Sequence, residues 1–224
     1  MFRLVIKMKN PVKKLTAVLM ALIIAVSAGI SAFAQEETEP VEEETVATLS
    51  LCSCVYLWPV SGHTWIYVEN NSDKPIKVGH YEVPVGQGVS VGAFSFSVYD
   101  GWGIYYNIEA YKENTKGRMN KVWSISEELD AAELEKLTYS LINYPNYWGV
   151  IANCATFSFS MWDSVTGDGF FSLLIPAISE IMIILGGGKR GVLDMYCPSR
   201  EQIFRQKGFG ENAHLEPASD YSIS

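Results

Sequence analysis

The spacing of the apolar residues changes near the middle of the chain, and this change limits the fold class more than any other feature. The segments 48–68, 76–83, 88–99 and 104–111 are rich in β-branched and aromatic residues, which favour strands. Beyond residue 130 the apolar residues recur at the three- and four-residue spacing of helices. A β-rich first half followed by helices predicts an α+β fold rather than a parallel α/β sheet, in which strands and helices alternate.

Three helices are predicted in the second half from the signals at their ends. The last is a short helix, in which Ser199 and Gln202 repeat the cap pattern and Gly208 is the end. Residues 130–133 (DAAE) match a capping box, and the helix that they begin should end before Pro145. A second helix should begin at Asn153 or Cys154 and end near Gly167, because glycine commonly terminates helices. Three apolar residues of this second helix, four positions apart, should share one buried face with position 154: Phe157, Met161 and Val165.

The first 34 residues have the features of a signal peptide. Five basic residues and no acidic residue come before an apolar run over residues 15–30. After this run, Ala32 and Ala34 stand at the two positions that a signal peptidase recognises. We expect cleavage before Gln35 and a secreted, extracellular protein that can associate with a cell wall. The run is shorter than the ~20 residues that span a bilayer, so we expect no stable membrane insertion after cleavage. A retained N-terminal anchor is the alternative.

The rest of the chain is predicted to contain one domain between two polar segments. Residues 35–46 are mostly acidic and predict a disordered spacer, and residues 215–224 predict a disordered tail. Residues 47–214 have the length of one ordinary domain. Because residues 1–34 carry five positive charges and no negative charge, cleavage changes the formal net charge from −8 to −13. A protein this acidic is a poor partner for nucleic acid or anionic lipid.

The chain contains four cysteines, at positions 52, 54, 154 and 197. Cys52 and Cys54 have the wrong spacing for a zinc site and no second pair follows them, so we expect neither a metal nor a cofactor. Export would permit disulfide bonds. One interpretation has two bridges that use all four cysteines. The other leaves Cys154 free, with Cys52 or Cys54 bridged to Cys197.

Two of the three histidines, His63 and His80, lie on neighbouring predicted strands. The segments 63–69 and 76–83 flank a strong turn signal at residues 70–75 and are predicted to form a hairpin. A loop with an even number of residues brings both imidazoles to one face of this hairpin, whereas an odd loop separates them. Two adjacent imidazoles suit a general base and a second residue that fixes its tautomer.

Cys154 lies at the predicted start of a helix, which is an environment that favours a thiolate. The N–H groups and dipole of the first turn stabilise negative charge, and Asn153 can cap the helix. The N–H of Cys154 would also face a developing oxyanion. These features predict Cys154 as a nucleophile and His63 as its base. In the alternative interpretation Cys154 is a small buried hydrophobe and the two histidines lie on an inert surface.

The order of these residues resembles the circularly permuted NlpC-type hydrolases, a group that includes the lecithin:retinol acyltransferase-like proteins. The matching segments are 62–67 (GHTWIY), 79–81 (GHY) and 153–157 (NCATF), so the likeness covers roughly residues 60–165. In this group the cysteine helix follows the sheet, whereas in ordinary papain-like enzymes it comes first. The resemblance implies a permuted papain-like fold over the predicted domain, in which an antiparallel sheet precedes the nucleophile helix. It also implies the catalytic residues Cys154, His63 and His80, with His80 as third member.

The same resemblance implies a thiol hydrolase of the cysteine peptidase or amidase type, acting on a peptide or peptidoglycan-like substrate. Acyl transfer to lipids is an alternative within the group, in which the apolar segment 170–185 would form a wall for an acyl chain. Otherwise this segment is a helix packed on the sheet. A second class of function is a non-enzymatic binding module on the same fold, with ligands stacking on four tryptophans: Trp58, Trp65, Trp102 and Trp148.

Overall fold

A large antiparallel sheet forms the centre of the structure. The computed structural model describes residues 44–57, 61–96, 101–145, 153–167 and 176–218. The strands in these residues are β1 (Ala47–Leu57), β2 (Ser61–Asn70), β3 (Ile76–Val78), β4 (Tyr81–Val83), β5 (Gly88–Phe96), β6 (Gly101–Tyr106), β7 (Trp123–Leu129), β8 (Lys189–Arg190), β9 (Phe204–Lys207) and β10 (His214–Pro217). The main sheet has the order β10-β9-β6-β5-β2-β1-β7-β8, and β3 and β4 form a separate pair.

The described residues also form four α-helices. They are α1 (Ile108–Thr115), α2 (Ala131–Asn143), α3 (Cys154–Thr166) and α4 (Pro176–Leu185). Because the strand pairs are antiparallel and most of the helices follow the central strands in the sequence, the predicted α+β class is confirmed.

Two of the three predicted helices are confirmed by their caps, whereas the third is wrong, because residues 199–208 form a single 3-10 turn (Arg200–Gln202) followed by β9. The Asp130 side chain accepts a hydrogen bond from the Glu133 N–H at 2.8 Å, and the Glu133 side chain accepts one from the Asp130 N–H at 3.1 Å. This helix ends before Pro145, as predicted. The helix α3 has Asn153 as its N-cap and ends at Gly167, whose φ of 68° lies in the left-handed region that glycine adopts readily.

The largest hydrophobic core lies between one face of the sheet and the helices α2, α3 and α4. The predicted apolar face of α3 is buried there, and so are three leucines of α2 and strand residues such as Leu51, Ile66 and Val91. Because side chains alternate along a strand, the neighbours of Ile66 face the opposite side of the sheet. On that side a smaller cluster contains Cys52, Trp65 and Ala110 of α1.

The predicted hairpin between residues 63–69 and 76–83 is wrong. Both edges of β2 are already used, because β2 pairs with β1 on one side and with β5 on the other. Residues 76–83 therefore pair with themselves as β3 and β4, joined by the two-residue turn Gly79-His80. The residue opposite His63 in the sheet is Cys54 of β1.

The predicted disulfide bonds are also wrong, because all four cysteines are free thiols. Cys52 and Cys54 point into the buried cluster around Trp65, whereas Cys197 is exposed. The buried Cys52 thiol donates a hydrogen bond to the carbonyl oxygen of Ser50, with 3.8 Å between sulfur and oxygen. Only the expectation that Cys154 is unbridged agrees with the structure.

The ordered part of the domain extends slightly beyond both predicted boundaries. The Val46 N–H donates to the carbonyl of Leu129 at 2.9 Å, so the end of the proposed spacer is attached to β7. At the other end, β10 includes residues 215–217, which were predicted to belong to the tail. The predicted signal peptide and residues 35–43 lie outside the described residues.

The apolar segment 170–185 contributes α4, which packs against β1 and β2 as the helix interpretation predicts. Ser179 and Ile183 of α4 are buried, whereas Ile181, Ile184 and Leu185 are exposed. Within the described ranges, no helix is both long and apolar enough to cross a bilayer.

Candidate active site

The candidate site lies where the pairing of β2 with β5 ends. Ile66 and Val91 are the last paired residues on this side of the two strands. Beyond them, the backbone N–H of Thr64 donates a hydrogen bond to the sulfur of Cys154 at the start of α3. His63 precedes Thr64, so the end of β2 supplies both a backbone donor and an imidazole to the same thiol.

The imidazole of His63 is buried and held on several sides. Its Nε2 lies 3.0 Å from Oε1 of Glu109. The ring centroid is 4.1 Å from that of Phe94 and 5.8 Å from that of Trp65, to which it is nearly parallel. The ring is also hydrogen-bonded to the Cys154 side chain. Because Nε2 bonds to Glu109, Nδ1 is the ring nitrogen left for Cys154.

Glu109 reaches His63 because the chain turns sharply between β6 and α1. Asn107 stands at this turn with φ 72°, in the left-handed region that asparagine tolerates better than most residues. The carboxyl group is 97% buried within the fold, and both of its oxygens are hydrogen-bonded. His63 bonds to Oε1, and the Ser90 hydroxyl donates to Oε2 at 2.9 Å.

Gly92 of β5 provides the space for this pair. A Cβ atom at this position would overlap Oε1 of Glu109 and would lie 3.0 Å from Nε2 of His63. The backbone of Gly92 lies outside the left-handed region, so the requirement for glycine is steric and not conformational. Glu109 and His63 can therefore form their hydrogen bond only because residue 92 has no side chain.

Cys154 is the first residue of α3, and the helix cap fixes its position. The Asn153 side chain accepts hydrogen bonds from the N–H groups of Ala155 and Thr156 at 2.9 and 3.2 Å. In return, the Thr156 hydroxyl accepts one from the Asn153 N–H at 2.7 Å. This cap uses the N–H groups of Ala155 and Thr156 and not that of Cys154, which lies at the same helix start as the sulfur.

The environment of Cys154 and His63 favours the charged form of both side chains. Burial alone would raise the pKa of the Cys154 thiol, but the charge and hydrogen bond of His63 and the N–H groups of Thr64 and Ala155 outweigh burial and lower it. Burial would lower the pKa of His63, but the Cys154 thiolate and the Glu109 carboxylate raise it to about 9. The site therefore stabilises a thiolate beside an imidazolium, because each charged side chain favours the charged form of the other.

This arrangement is suited to nucleophilic chemistry. The thiolate is a strong nucleophile, the imidazolium can supply a proton, and the buried carboxylate holds the ring in one orientation. Among the residues that the structure describes, no group of three or more His, Cys, Asp or Glu side chains could hold a metal ion.

The structure brings together two of the three predicted site residues, Cys154 and His63, but not His80. His80 is exposed in the turn between β3 and β4, and its backbone N–H bonds to the hydroxyl of Tyr106. Burial, together with nearby His214 and Lys77, lowers its pKa. The prediction that His80 lies against His63 is therefore wrong, and Glu109 occupies that position.

Glu109 was missed because residues 104–111 were predicted to form one strand. A helix-start signal is nevertheless present, since Asn107 is a favourable residue before a helix and Glu109 is acidic in its first turn. This signal would have placed a carboxylate at the start of a helix directly after a strand. The predicted tryptophan surface is also incorrect for Trp65, which is completely buried. Of the other three, Trp58 and Trp148 and the side chain of Trp102 lie outside the described part of the structure.

Comparisons with known proteins identify no relative from which a role could be transferred. No family model, no curated protein and no solved structure matches the chain. The fold and site define a class by geometry alone: an α+β domain with a buried Cys-His-Glu array at the edge of its central strands. The interpretation of Cys154, His63 and Glu109 therefore depends on their own contacts.

Proposed function

We propose that the chain is a thiol hydrolase that cleaves amide bonds, with Cys154 as nucleophile and His63 as general acid and base. Glu109 replaces His80 as the residue that orients His63. The main support is the position of His63, whose ring is hydrogen-bonded to Cys154 and lies 3.0 Å from Glu109.

In the first half of the reaction, the Cys154 thiolate attacks the carbonyl carbon of the substrate. The negative charge that develops on the carbonyl oxygen faces the first turn of α3, where the N–H of Cys154 can stabilise it. His63 transfers its Nδ1 proton to the departing nitrogen, and the C–N bond breaks. The products of this half are a free amine and a thioester between the acyl group and Cys154.

In the second half, a water molecule hydrolyses the thioester. The oxygen of the water attacks the acyl carbon while neutral His63 takes a proton from the water, and the C–S bond breaks. The acid product leaves, and Cys154 and His63 return to the thiolate and imidazolium. Throughout both halves, Glu109 accepts the Nε2–H of His63 and keeps Nδ1 directed at the reacting atoms.

We further propose that the domain is a permuted papain-like fold. The supporting observation is the order of the site along the chain, since His63 stands on a central strand and Cys154 opens a helix that follows the central strands of the sheet. The third member departs from the resemblance, because a carboxylate on a helix takes the place expected for His80 on a strand.

A peptide or peptidoglycan-like substrate outside the cell is the proposed context, supported by the signal-peptide features of residues 1–34. Acyl transfer to a lipid is the second candidate, and the exposed apolar residues of α4 favour it: Ile181, Ile184 and Leu185. Both reactions share the thioester and differ in the acceptor, which is water in one case and a lipid amine or hydroxyl in the other.

Replacement of the nucleophile tests the proposal. Cys154→Ala should lower the rate of amide hydrolysis by several orders of magnitude while the folded spectrum is retained. The matched control is Cys197→Ala, which removes an exposed thiol outside the site and should leave the rate unchanged. Peptidoglycan fragments and peptides serve as substrates, with lipid acceptors added in parallel. Activity that survives Cys154→Ala within about tenfold would exclude a covalent role for this thiol.

A further inference from the structure

A buried hydroxyl group lies behind the three residues of the candidate site. Ser90 of β5 is completely buried, and its Oγ is 2.9 Å from Oε2 of Glu109, the carboxylate oxygen that His63 does not use. The proposed reaction assigns this hydroxyl no chemical step. Its hydrogen bond to Glu109 nevertheless extends the series of hydrogen bonds that runs from Cys154 to His63 and from His63 to Glu109.

The direction of the hydrogen bond from Ser90 is fixed by its other partner. The backbone N–H of Ala110 donates to Ser90 Oγ at 3.1 Å, so a lone pair of the hydroxyl is occupied from the side of α1. The hydroxyl hydrogen is then free to point to Oε2 of Glu109. The carbonyl of Ser90 also accepts the Asn107 N–H at 2.7 Å, so this one strand residue fastens the start of α1 at two points.

The surroundings offer the Glu109 carboxylate few other hydrogen-bond or charge partners. Glu109 is buried, Oε1 fills the space that Gly92 leaves, and unpaired buried carboxylates are costly. The other titratable groups near it are the thiol of Cys52, whose pKa is raised by burial and by Glu109, and the ammonium of Lys112, whose pKa is lowered chiefly by burial. Among the described residues, Ser90 is the hydrogen-bond donor to Oε2.

We propose that Ser90 is a positioning residue of the candidate site, and that its hydroxyl holds the Glu109 carboxylate in the orientation that presents Oε1 to His63. This proposal rests on the proposed function and adds a fourth residue to it. Without the hydroxyl, the Glu109 carboxylate rotates away from His63, the imidazolium loses its partner and the Cys154 thiolate loses stabilisation.

The test is the pH dependence of Cys154 alkylation by iodoacetamide, measured in a Cys197→Ala background so that the exposed thiol does not contribute. Ser90→Ala should move the acid-side midpoint of alkylation upward, toward the range of an ordinary thiol. It should slow alkylation at neutral pH by about tenfold, the typical effect of losing a hydrogen bond to a charged group. Turnover should fall through kcat, with KM nearly unchanged.

The matched control is Ser50→Ala, another buried strand serine in the same sheet. Its hydroxyl is 2.8 Å from that of Ser126, and neither belongs to the candidate site. This variant loses the part-buried hydrogen bond of a buried serine, whereas Ser90→Ala loses two buried ones, and its alkylation profile should match that of the parent. An equal shift in both variants would mean that the profile follows general stability, and it would overturn the proposal.

A double-mutant cycle with Glu109→Gln provides the second measurement. If Ser90 acts through Glu109, then Ser90→Ala should add little in a Glu109→Gln background. Ser90→Cys keeps the size and a weaker donor, and it should give an intermediate shift even if Ser90→Ala folds poorly. An unchanged midpoint in a folded Ser90 variant, a downward shift, or additive effects in the cycle would each contradict the positioning role.

The alkylation profile needs no substrate, so it separates this proposal from the proposed function. An ordinary thiol profile for the parent protein would overturn both. An activated profile in the parent that Ser90→Ala leaves unchanged would overturn the role of Ser90 alone.

Discussion

Gly92 is the position at which the smallest change should disturb the candidate site most directly. Gly92→Ala places a methyl group on Oε1 of Glu109 and against Nε2 of His63, so the two side chains must separate. We expect a loss of turnover of about a hundredfold or more, because a catalytic group displaced by about 1 Å costs that much. The measurement is kcat together with the alkylation rate of Cys154.

Gly88→Ala is the matched control for this variant. Gly88 is also a glycine of β5, and a Cβ there would overlap the ring of Tyr67, which lies outside the candidate site. Both substitutions overpack the core and should lower the free energy of unfolding by roughly 1–3 kcal/mol. Only Gly92→Ala should slow alkylation of Cys154, and equal slowing in Gly88→Ala would refute the steric argument.

The charges of His63 and Cys154 predict how activity changes with pH. The reactive state has the thiol deprotonated and the imidazole protonated, so activity should rise as pH passes the lowered pKa of Cys154. Activity should fall as pH passes the raised pKa of His63, at about 9. The two midpoints belong to the pair and are measured as the limbs of kcat/KM against pH.

His63→Gln separates the contributions of the pair. With no imidazolium beside it, the pKa of the Cys154 thiol should rise, because burial then acts with less opposition, and the alkaline limb at about 9 should disappear. The measurement is the rate of Cys154 alkylation against pH. An acid-side midpoint that stays at the same pH in this variant as in the parent would show that the helix start alone lowers the pKa of Cys154.

At the scale of single residues, the sequence identified two of the three residues that the fold brings together in the candidate site, but not the third. Cys154 carries a local signature, since asparagine precedes it and a helical pattern follows, and His63 is one of only three histidines in the chain. Glu109 has no comparable signature among the many acidic residues. Its role depends on a turn at Asn107 and on the empty space at Gly92, and both are properties of the folded backbone.

The start of α3 is the element that positions Cys154, the proposed nucleophile. Asn153→Ala removes the acceptor for the Ala155 and Thr156 N–H groups, and it should cost about 1 kcal/mol of unfolding free energy. Because the first turn then frays, the pKa of Cys154 should rise and alkylation at neutral pH should slow. Chemical denaturation and alkylation measure the two effects.

Asp130→Ala removes the corresponding cap of α2, which accepts the Glu133 N–H. It should cost a similar free energy without any change at Cys154. If the two variants slow alkylation equally, the cap of α3 has no special connection with the thiol.

Elements with local end signals were predictable, whereas the pairing of strands was not. The caps and apolar periodicity at residues 130–133 and 153–167 are short-range patterns, and both helices were predicted correctly. The partner of β2 is decided by distant segments, because β1 and β5 occupy both of its edges before residues 76–83 can add to either. Two strands that are adjacent in sequence were therefore assigned to each other incorrectly.

For the whole molecule, the prediction that can be tested directly is export. We expect the mature protein to begin at Gln35, within two residues, because Ala32 and Ala34 match the positions that a signal peptidase recognises. N-terminal sequencing of protein recovered from the medium or the cell wall measures this start. Recovery of the intact chain in the membrane fraction alone would instead identify residues 15–30 as an anchor.

The site draws on parts of the chain that meet only in the finished fold. His63 and Glu109 are 46 residues apart in the sequence, and Cys154 belongs to a third segment that follows the central strands. In the unfolded chain the thiol has no imidazolium, no capped helix and no N–H from Thr64, so it reacts as any free cysteine does. If Cys154 is the nucleophile that we propose, an unfolded chain is therefore inactive without an inhibitory propeptide, because the activated thiol forms only when the fold is complete.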